Sequence, residues 1–251
     1  MERGVSVYHY LLEVRKKRGA GYFVLLDPDK LPRTELLALA EKASDEGADL
    51  LLIGGSLLLN SGFDELIRDI RDRVGIPVVV FPGNTMQISQ YADAILFLSL
   101  ISGRNAHFLI GEQVRAAPIL EHIGVEPIST GYMLIESGRQ TSAEFMSNTR
   151  PIPRDKPDIA KATALAAEYL GMRLVYLEAG SGALQPVDPV MIREVADYVN
   201  IPLIVGGGIR TPEQARERVQ AGASFIVTGN VLEEKTNSSL MKEFVDAIHD
   251  V

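Results

Sequence analysis

Residues 202–210 read PLIVGGGIR, a short apolar run that passes directly into consecutive glycines. Two further segments repeat this arrangement, LVYLEAGSGA at 174–183 and SFIVTGN at 224–230. Nearly continuous apolar runs of this length are typical of strands buried on both faces of a parallel sheet. The three segments therefore predict successive βα units, each with a glycine-rich loop at the C-terminal end of its strand.

The same alternation extends outward over the whole chain. Longer amphipathic segments lie between the apolar runs and predict helices at 34–46, 63–74, 156–170, 189–198, 212–220 and 239–249. Eight βα units in a chain of 251 residues favour a closed (β/α)8 barrel of the TIM type, and we expect residues 1–251 to form one α/β domain. The eight predicted strands are 22–26, 48–53, 77–81, 94–98, 126–131, 174–178, 202–205 and 224–227.

Two connections depart from the regular alternation. Between the third and fourth strands only residues 85–91 are available, which is short for a full crossover helix. Between the fifth and sixth strands, residues 135–157 form a long, polar, proline-containing segment. Segments of this length inside compact domains are usually functional lids or disordered loops.

Composition excludes several classes of function. The chain has no cysteine, which rules out disulfides, thiolate metal sites and a cysteine nucleophile. The net charge is −8 and the longest basic run is the short segment 15–18, so we expect no nucleic-acid partner. No signal-peptide pattern and no apolar stretch of about 18 residues occurs, so we expect a cytoplasmic protein, while loose association with a membrane surface stays open.

The glycine-rich loops predict a phosphate site. The C-terminal ends of barrel strands open onto one face, so segments 178–183, 206–210 and 228–230 converge there. Glycines allow backbone N–H groups to approach an anion closely, and a helix after Gly229 and Asn230 would aim its N-terminus at the same anion. One glycine pair is most often only a turn, but three at equivalent positions favour phosphate binding.

Acidic and hydroxyl side chains follow other strands. Asp27 and Asp29 follow the first strand, and carboxylates beside a phosphate site are typical ligands of Mg²⁺. We assign Asp27 to the metal and Asp29 to capping of the next turn. Ser56, after the second strand, could meet the same cation or its phosphate, or cap a helix.

Glu178 ends the sixth strand beside the phosphate loops. A carboxylate there would repel phosphate, so we expect it to face a hydroxyl of the same substrate, as hydrogen-bond acceptor or general base. Tyr176 lies two residues earlier and points to the same side of the strand.

Together these segments resemble those of the geranylgeranylglyceryl phosphate synthases and their bacterial relatives, the heptaprenylglyceryl phosphate synthases. The resemblance covers essentially the whole chain and is most specific at 176–183, YLEAGSGA, with support from 27–30, 53–56, 206–210 and 228–230. It implies a Mg²⁺-dependent prenyltransferase of phospholipid biosynthesis, which joins geranylgeranyl diphosphate to sn-glycerol 1-phosphate and releases pyrophosphate. It also implies a homo-oligomer, a dimer or larger, and a non-helical segment in place of the third barrel helix.

The resemblance further assigns individual residues. It implies that Asp27 and Ser56 bind Mg²⁺ and that Glu178 and Asp27 are catalytic. Leu25 stands where heptaprenyl members carry a lysine, so the chain looks like the other branch, which mostly uses geranylgeranyl diphosphate. The residues implied to bind glycerol 1-phosphate are Tyr176, Leu177, Glu178, Ala179, Gly180, Ser181, Gly182, Gly206, Gly207, Gly229 and Asn230.

A prenyl tail requires an apolar groove on the same face of the barrel. Candidate lining residues follow the fourth and fifth strands, although Phe97 and Leu98 read more readily as barrel core. The candidates are Phe97, Leu98, Leu100, Ile101, Tyr132, Met133 and Leu134.

Two alternatives stay open. Another phosphate-binding barrel enzyme, such as a sugar-phosphate isomerase or a flavin enzyme, usually needs a strand-end lysine, histidine or second acid, and only Glu178 is a good candidate. A non-catalytic phosphate-ligand sensor would keep the glycines but need neither Asp27 nor Glu178.

Overall fold

The computed structural model describes residues 6–233 and 239–249. Eight parallel strands follow one another around a closed barrel in chain order, and β1 pairs with both β2 and β8. The predicted (β/α)8 barrel is therefore confirmed. The strands are β1 Gly21–Leu26, β2 Leu50–Ile53, β3 Val78–Val80, β4 Ala94–Leu100, β5 Glu126–Leu134, β6 Leu174–Glu178, β7 Leu203–Gly206 and β8 Phe225–Thr228.

Helices surround the barrel and connect its strands. A π-helical turn, His107–Gly111, leads directly into the fourth helix. The helices are α1 Val7–Arg18, α2 Arg33–Glu46, α3 Phe63–Arg71, α4 Glu112–Ile123, α5 Ser142–Ser147, α6 Pro157–Tyr169, α7 Pro189–Ala196, α8 Pro212–Gln220, α9 Asn230–Glu233 and α10 Leu240–His249. Within the part of the chain that the structure describes, none of these helices is long and apolar enough to cross a membrane.

The apolar core has two layers, because side chains alternate along each strand. On β6, Leu174 and Tyr176 point into the barrel, whereas Val175 and Leu177 pack against the surrounding helices. All five residues of this strand, including Glu178, are buried. The alternation places Tyr176 and Glu178 on the inner side, toward the C-terminal opening of the barrel.

Helix α1 closes the opposite end of the barrel. Its buried Val7 and Leu11 belong to the same core cluster as the inward-facing Phe23. A buried carboxylate holds the helices at this end: Asp49 accepts hydrogen bonds from Arg18 and from the backbone N–H of Tyr22, both at 2.8 Å, and pairs with His249 of α10 at 2.8 Å. Helix α1 therefore covers the N-terminal end of the barrel.

No helix forms between β3 and β4, where residues 81–93 are all described. After Pro82 and Gly83, side chains satisfy the backbone locally: Asn84 Oδ1 accepts from the N–H of Met86 at 2.9 Å, and Ser89 Oγ accepts from that of Tyr91 at 3.2 Å. Such bonds compete with helix formation. The predicted non-helical connection is confirmed, and it leaves one flank of the barrel without a helical cover.

Other elements differ from the sequence prediction. Helix α4 was not predicted, because Pro118 lies in its interior and the polar Gln113 faces the core. Strands β4 and β5 run past their predicted ends to Leu100 and Leu134. The long segment 135–157 contains the short helix α5 and a single bridge between Ile135 and Ile152, so it is not a structureless loop.

Candidate active site

A cavity of about 1250 Å³ occupies the C-terminal end of the barrel. Loops after β1, β2, β5, β6, β7 and β8 line it, so residues far apart in the chain meet there. The structure brings together most of the site residues predicted from the sequence. Those lining the cavity are Asp27, Ser56, Tyr176, Glu178, Gly180, Ser181, Gly182, Gly207, Gly229 and Asn230.

Three predicted residues lie outside the cavity lining. Leu177 and Ala179 are buried in the core layer between strands and helices. Gly206 lies next to the Tyr176 ring, where a Cβ atom would come within 2.4 Å of the tyrosine hydroxyl oxygen. Gly206 therefore gives Tyr176 the space it occupies, while Leu177 and Ala179 hold β6 against the helices.

The glycine-rich loops approach each other more closely than side chains would allow. A Cβ atom on Gly207, whose φ is +82°, would lie 2.3 Å from Glu178 Oε1 and 2.5 Å from the nitrogen of Gly180. Gly180 itself has a φ of +96°, and a Cβ there would lie 2.4 Å from a side-chain carbon of Thr141. Left-handed backbone and close contact both require glycine at these positions. The loops after β5, β6 and β7 thus form one compact cradle.

Glu178 is an acid buried at the base of this cradle. Its side chain is 5% exposed, and Oε1 accepts a hydrogen bond from the N–H of Gly180 at 2.6 Å. Burial raises the pKa of Glu178, and the Gly180 N–H opposes part of that rise. A carboxylate with a raised pKa beside a substrate cavity is suited to accept a proton.

The Tyr176 hydroxyl lies beside the Glu178 carboxylate at the base of the cradle. This hydroxyl is buried, but no hydrogen bond of normal geometry satisfies it within the described part of the chain. The ring is held by a stacked contact with Phe81 at 5.5 Å between centroids and an edge contact with Tyr132 at 5.4 Å. A buried hydroxyl left unpaired is costly, so this one is placed to bind a ligand atom.

Asp27 lies on the other side of the cavity. Oδ1 accepts a hydrogen bond from the N–H of Asp29 at 3.1 Å, and burial raises the pKa of Asp27. Its carboxyl group packs against Gly55, where a Cβ atom would be 3.1 Å away, and Ser56 follows directly. Within 6–233 and 239–249, no three acidic, histidine or cysteine side chains are arranged so that they could hold a metal ion by themselves. Asp27 and Ser56 face the cavity from neighbouring loops, and Asp29 lines it beside them.

Asp29 has a structural role that differs from the predicted one. It accepts hydrogen bonds from the backbone N–H groups of Leu59 at 2.7 Å and Asn60 at 3.0 Å. The prediction that Asp29 caps the next turn is therefore wrong, because its carboxylate bonds to a loop 30 residues further along the chain. Asp29 instead fixes the loop that follows β2, because that loop packs against the β1 loop in the closed barrel.

A second, apolar cavity of about 250 Å³ lies beside the flank that lacks a helix. Phe81 and Tyr132 line both cavities, as does Met146 of α5, so the two spaces meet along a shared wall. Of the predicted groove residues, Met133 and Ile101 pack instead in the core layer against the helices. Those that do line the apolar cavity are Phe97, Leu98, Leu100, Tyr132 and Leu134.

Comparison with known families matches residues 12–248 to the PcrB family. The chain belongs to the PcrB family. Two PcrB relatives named geranylgeranylglyceryl phosphate synthase illustrate the match. The protein of Chitinophaga pinensis is 46% identical over 244 residues, covering 97% of this chain and 96% of its own. The protein of Spirosoma linguale is 47% identical over 244 residues, covering 95% and 96%.

A solved structure matches the fold over nearly the whole chain. It is a crystal structure of (S)-3-O-geranylgeranylglyceryl phosphate synthase from Thermoplasma acidophilum in complex with its substrate sn-glycerol-1-phosphate. Its TM-score is 0.93 at 37% identity, and the match covers 98% of this chain and 100% of the solved one. The resemblance to geranylgeranylglyceryl phosphate synthases that the sequence indicates is therefore confirmed.

Sequence reasoning gave no role to several residues of this PcrB-family cavity. Lys30, Arg139 and Gly208 all line it. Lys30 belongs to the 27–30 segment and Gly208 to the 206–210 segment, so both could have been predicted from the sequence to line the site. Arg139 lies on the long segment after β5, where no pattern marks it.

Proposed function

We propose that the protein joins geranylgeranyl diphosphate to sn-glycerol 1-phosphate, giving geranylgeranylglyceryl phosphate and pyrophosphate. The observation that carries this proposal is the shared wall of Phe81 and Tyr132 between a polar, glycine-lined cavity and an apolar one. A donor with a diphosphate head and a prenyl tail spans such a pair of spaces. The names of the relatives and the ligand of the Thermoplasma structure support the same pair of substrates.

The acceptor fits the side of the cavity formed by the last three strands. Backbone N–H groups of the glycine loops offer partners to its phosphate, as in other anion-binding loops. The unpaired Tyr176 hydroxyl and the Glu178 carboxylate would then meet the glycerol hydroxyls. The loop residues assigned to the phosphate are Gly180, Ser181, Gly182, Gly207, Gly229 and Asn230.

Mg²⁺ fits the residues on the opposite side. This ion is commonly held by one or two carboxylates, with waters and substrate phosphates completing its shell, which agrees with one carboxylate at Asp27 and one hydroxyl at Ser56. Burial disfavours the charge of Asp27, and a bound cation would restore it. When bound, the ion supplies charge neutralisation to the departing diphosphate.

The reaction follows from these positions. The acceptor's terminal hydroxyl oxygen forms a bond to the first carbon of the prenyl chain, while the bond from that carbon to the diphosphate oxygen breaks. The hydroxyl proton passes to the Glu178 carboxylate, whose raised pKa favours its capture. Tyr176 orients the acceptor, and the glycine cradle holds the oxygen close to the carbon, so much of the acceleration is positional.

One experiment tests the proposal against its alternatives. The protein is incubated with sn-glycerol 1-phosphate and labelled geranylgeranyl diphosphate, with Mg²⁺ or with a chelator. We expect a labelled ether lipid and pyrophosphate only when Mg²⁺ is present. Acceptor binding without any product would indicate a sensor, and turnover of sugar phosphates instead would indicate another barrel enzyme. Either result would overturn the proposal.

We also propose that the protein acts in the cytoplasm as a homo-oligomer, touching membranes loosely to collect its lipid donor. Leu59 and Phe145, 78% and 71% exposed, line the mouth of the large cavity and support contact with a lipid surface. Ile110 and Val114 are exposed along the π-turn and α4 and support contact between copies. Vesicle flotation tests the association with lipid, and light scattering tests the oligomeric state.

A further inference from the structure

Lys30 lies where the two halves of the cavity meet. Its ammonium group donates hydrogen bonds to Asn230 Oδ1 and to Ser181 Oγ, the latter at 3.3 Å. The same nitrogen is 3.9 Å from Oδ2 of Asp27. Its side chain is 32% exposed, so it is reachable from the cavity that it lines. One positive charge thus contacts residues assigned to the acceptor phosphate and a residue assigned to the donor.

Three cationic side chains line the part of the cavity that the structure describes. These are Lys30, Arg139 and Arg210. Arg210 donates to the carbonyl oxygens of Ala183 at 2.7 Å and Leu184 at 3.4 Å, so its guanidinium holds the β6 loop. Arg139 lies beside Gly182 on the far side of the cradle. Lys30 alone of these three also contacts the Asp27 side.

Two anions in one cavity repel each other unless a cation lies between them. The glycine loops contribute backbone dipoles, which carry only partial charge. An ammonium has three donors, so it can contact two different phosphate groups at once. The position of Lys30 matches this requirement, since it joins the loops after β6 and β8 to the loop after β1.

We propose that Lys30 binds both substrates, exchanging its contacts with Asn230 and Ser181 for an oxygen of the acceptor phosphate while facing the donor diphosphate. This inference rests on the proposed function. It makes Lys30 responsible for the energetic coupling between the two anions. Without its charge, each anion would weaken the binding of the other.

The test compares Lys30→Met with the wild-type protein. Calorimetry measures the affinity for sn-glycerol 1-phosphate, with and without inorganic pyrophosphate and Mg²⁺. We expect Lys30→Met to weaken acceptor binding about 10- to 100-fold, the usual range for a charged hydrogen bond. We further expect pyrophosphate to reduce acceptor affinity about tenfold more in the variant than in the wild type. A residue that merely tethers the loops would not change this second quantity.

Matched variants complete the design. Lys30→Arg keeps the charge and should recover most of the coupling. Lys16→Met makes the same charge change on α1, at the opposite end of the barrel, and should behave as wild type. If Lys30→Met unfolds below the assay temperature, Lys30→Gln carries the same measurement. Unchanged acceptor affinity and unchanged coupling in an active enzyme would overturn the role of Lys30, whereas a wild-type protein that forms no prenyl ether would overturn the proposed function itself.

Discussion

Replacing Glu178 with glutamine removes a charge from the buried site and keeps its shape. Oε1 accepts a 2.6 Å hydrogen bond from the N–H of Gly180, and a glutamine amide oxygen can accept the same bond. Because the base is lost, we expect kcat to fall about 10²- to 10⁴-fold. Acceptor affinity should fall only about fivefold, since a charged hydrogen bond contributes roughly 1 kcal/mol more than a neutral one.

The same substitution should not destabilise the fold. Burial raises the pKa of Glu178 above its ordinary 4.5, so the folded protein holds this proton more tightly than the unfolded chain does. Stability contributed by this group therefore falls as pH rises from the unfolded pKa through the folded pKa. At pH 7 the variant should unfold at the same temperature as the wild type or higher. The contribution of Glu178 to the acid limb of kcat/KM should lie above pH 4.5 and should be lost in the variant, whereas the contribution of Asp27 should stay.

The assay combines steady-state turnover of labelled donor, calorimetry with the acceptor, and thermal unfolding. Glu136→Gln serves as the matched control, because Glu136 makes a similar contact, to the N–H of Gly138 at 3.0 Å, but is exposed and outside the cavity lining. A Glu178→Gln enzyme with near-normal kcat would refute the assignment of the base. A large loss of thermal stability in Glu178→Gln would refute the claim that burial of the ionised carboxylate lowers stability at pH 7.

Further predictions address the other parts of the molecule. Asp27→Asn should lower turnover about 10³-fold or more, because metal neutralisation of the leaving group contributes several kcal/mol. Calorimetry should find acceptor binding nearly intact. Loss of acceptor binding would contradict the assignment of Asp27 to the donor side of the cavity. Gly207→Ala should lower the free energy of unfolding in denaturant by about 1–3 kcal/mol, since φ is +82° and the new Cβ would meet the Gly180 nitrogen. An acceptor affinity equal to that of the wild type would contradict the binding of the acceptor phosphate by these glycine loops. Ala116 of α4 lines the apolar cavity. Ala116→Phe should therefore fill that cavity and raise the KM for the C20 donor about tenfold, the loss expected for roughly two buried CH₂ groups, with the acceptor KM unchanged. Asp49→Asn should cost about 1–3 kcal/mol of unfolding free energy, because the buried Asp49 carboxylate accepts hydrogen bonds from Arg18 and from the N–H of Tyr22, and equal denaturation midpoints would contradict this.

Strand positions could be predicted because of their burial. On β2, Leu50–Ile53, every residue is buried, and the sequence there is uniformly apolar as a double-covered parallel strand requires. Helix α4 escaped prediction because Pro118 is a poor helix-interior residue and Gln113 points inward, which breaks the apolar pattern. The apolar pattern therefore identified the uniformly buried strands and missed helix α4, whose stability comes from packing.

The residues of the site also differ in how far the sequence alone could place them. Tyr176 and Glu178 could be placed on one side of β6 by the two-residue period, and the same period places Leu177 and Ala179 on the other side. Lys30 contacts Asn230 across 200 positions of the chain. No local pattern encodes such a contact, because it exists only once β1 and β8 have been brought together.

The pairing of β1 with β8 has a consequence for how the chain is made. Gly21 faces Phe225 and Val24 faces Thr228 in register, so strands from the two ends of the sheet satisfy each other's backbone groups. During synthesis on the ribosome, β1 emerges early, and the edge that pairs with β8 stays unpaired until β8 has been made. An exposed strand edge is a template for association with other chains. We therefore expect the β1 edge to be open to such association until β8 has been synthesised and paired with it.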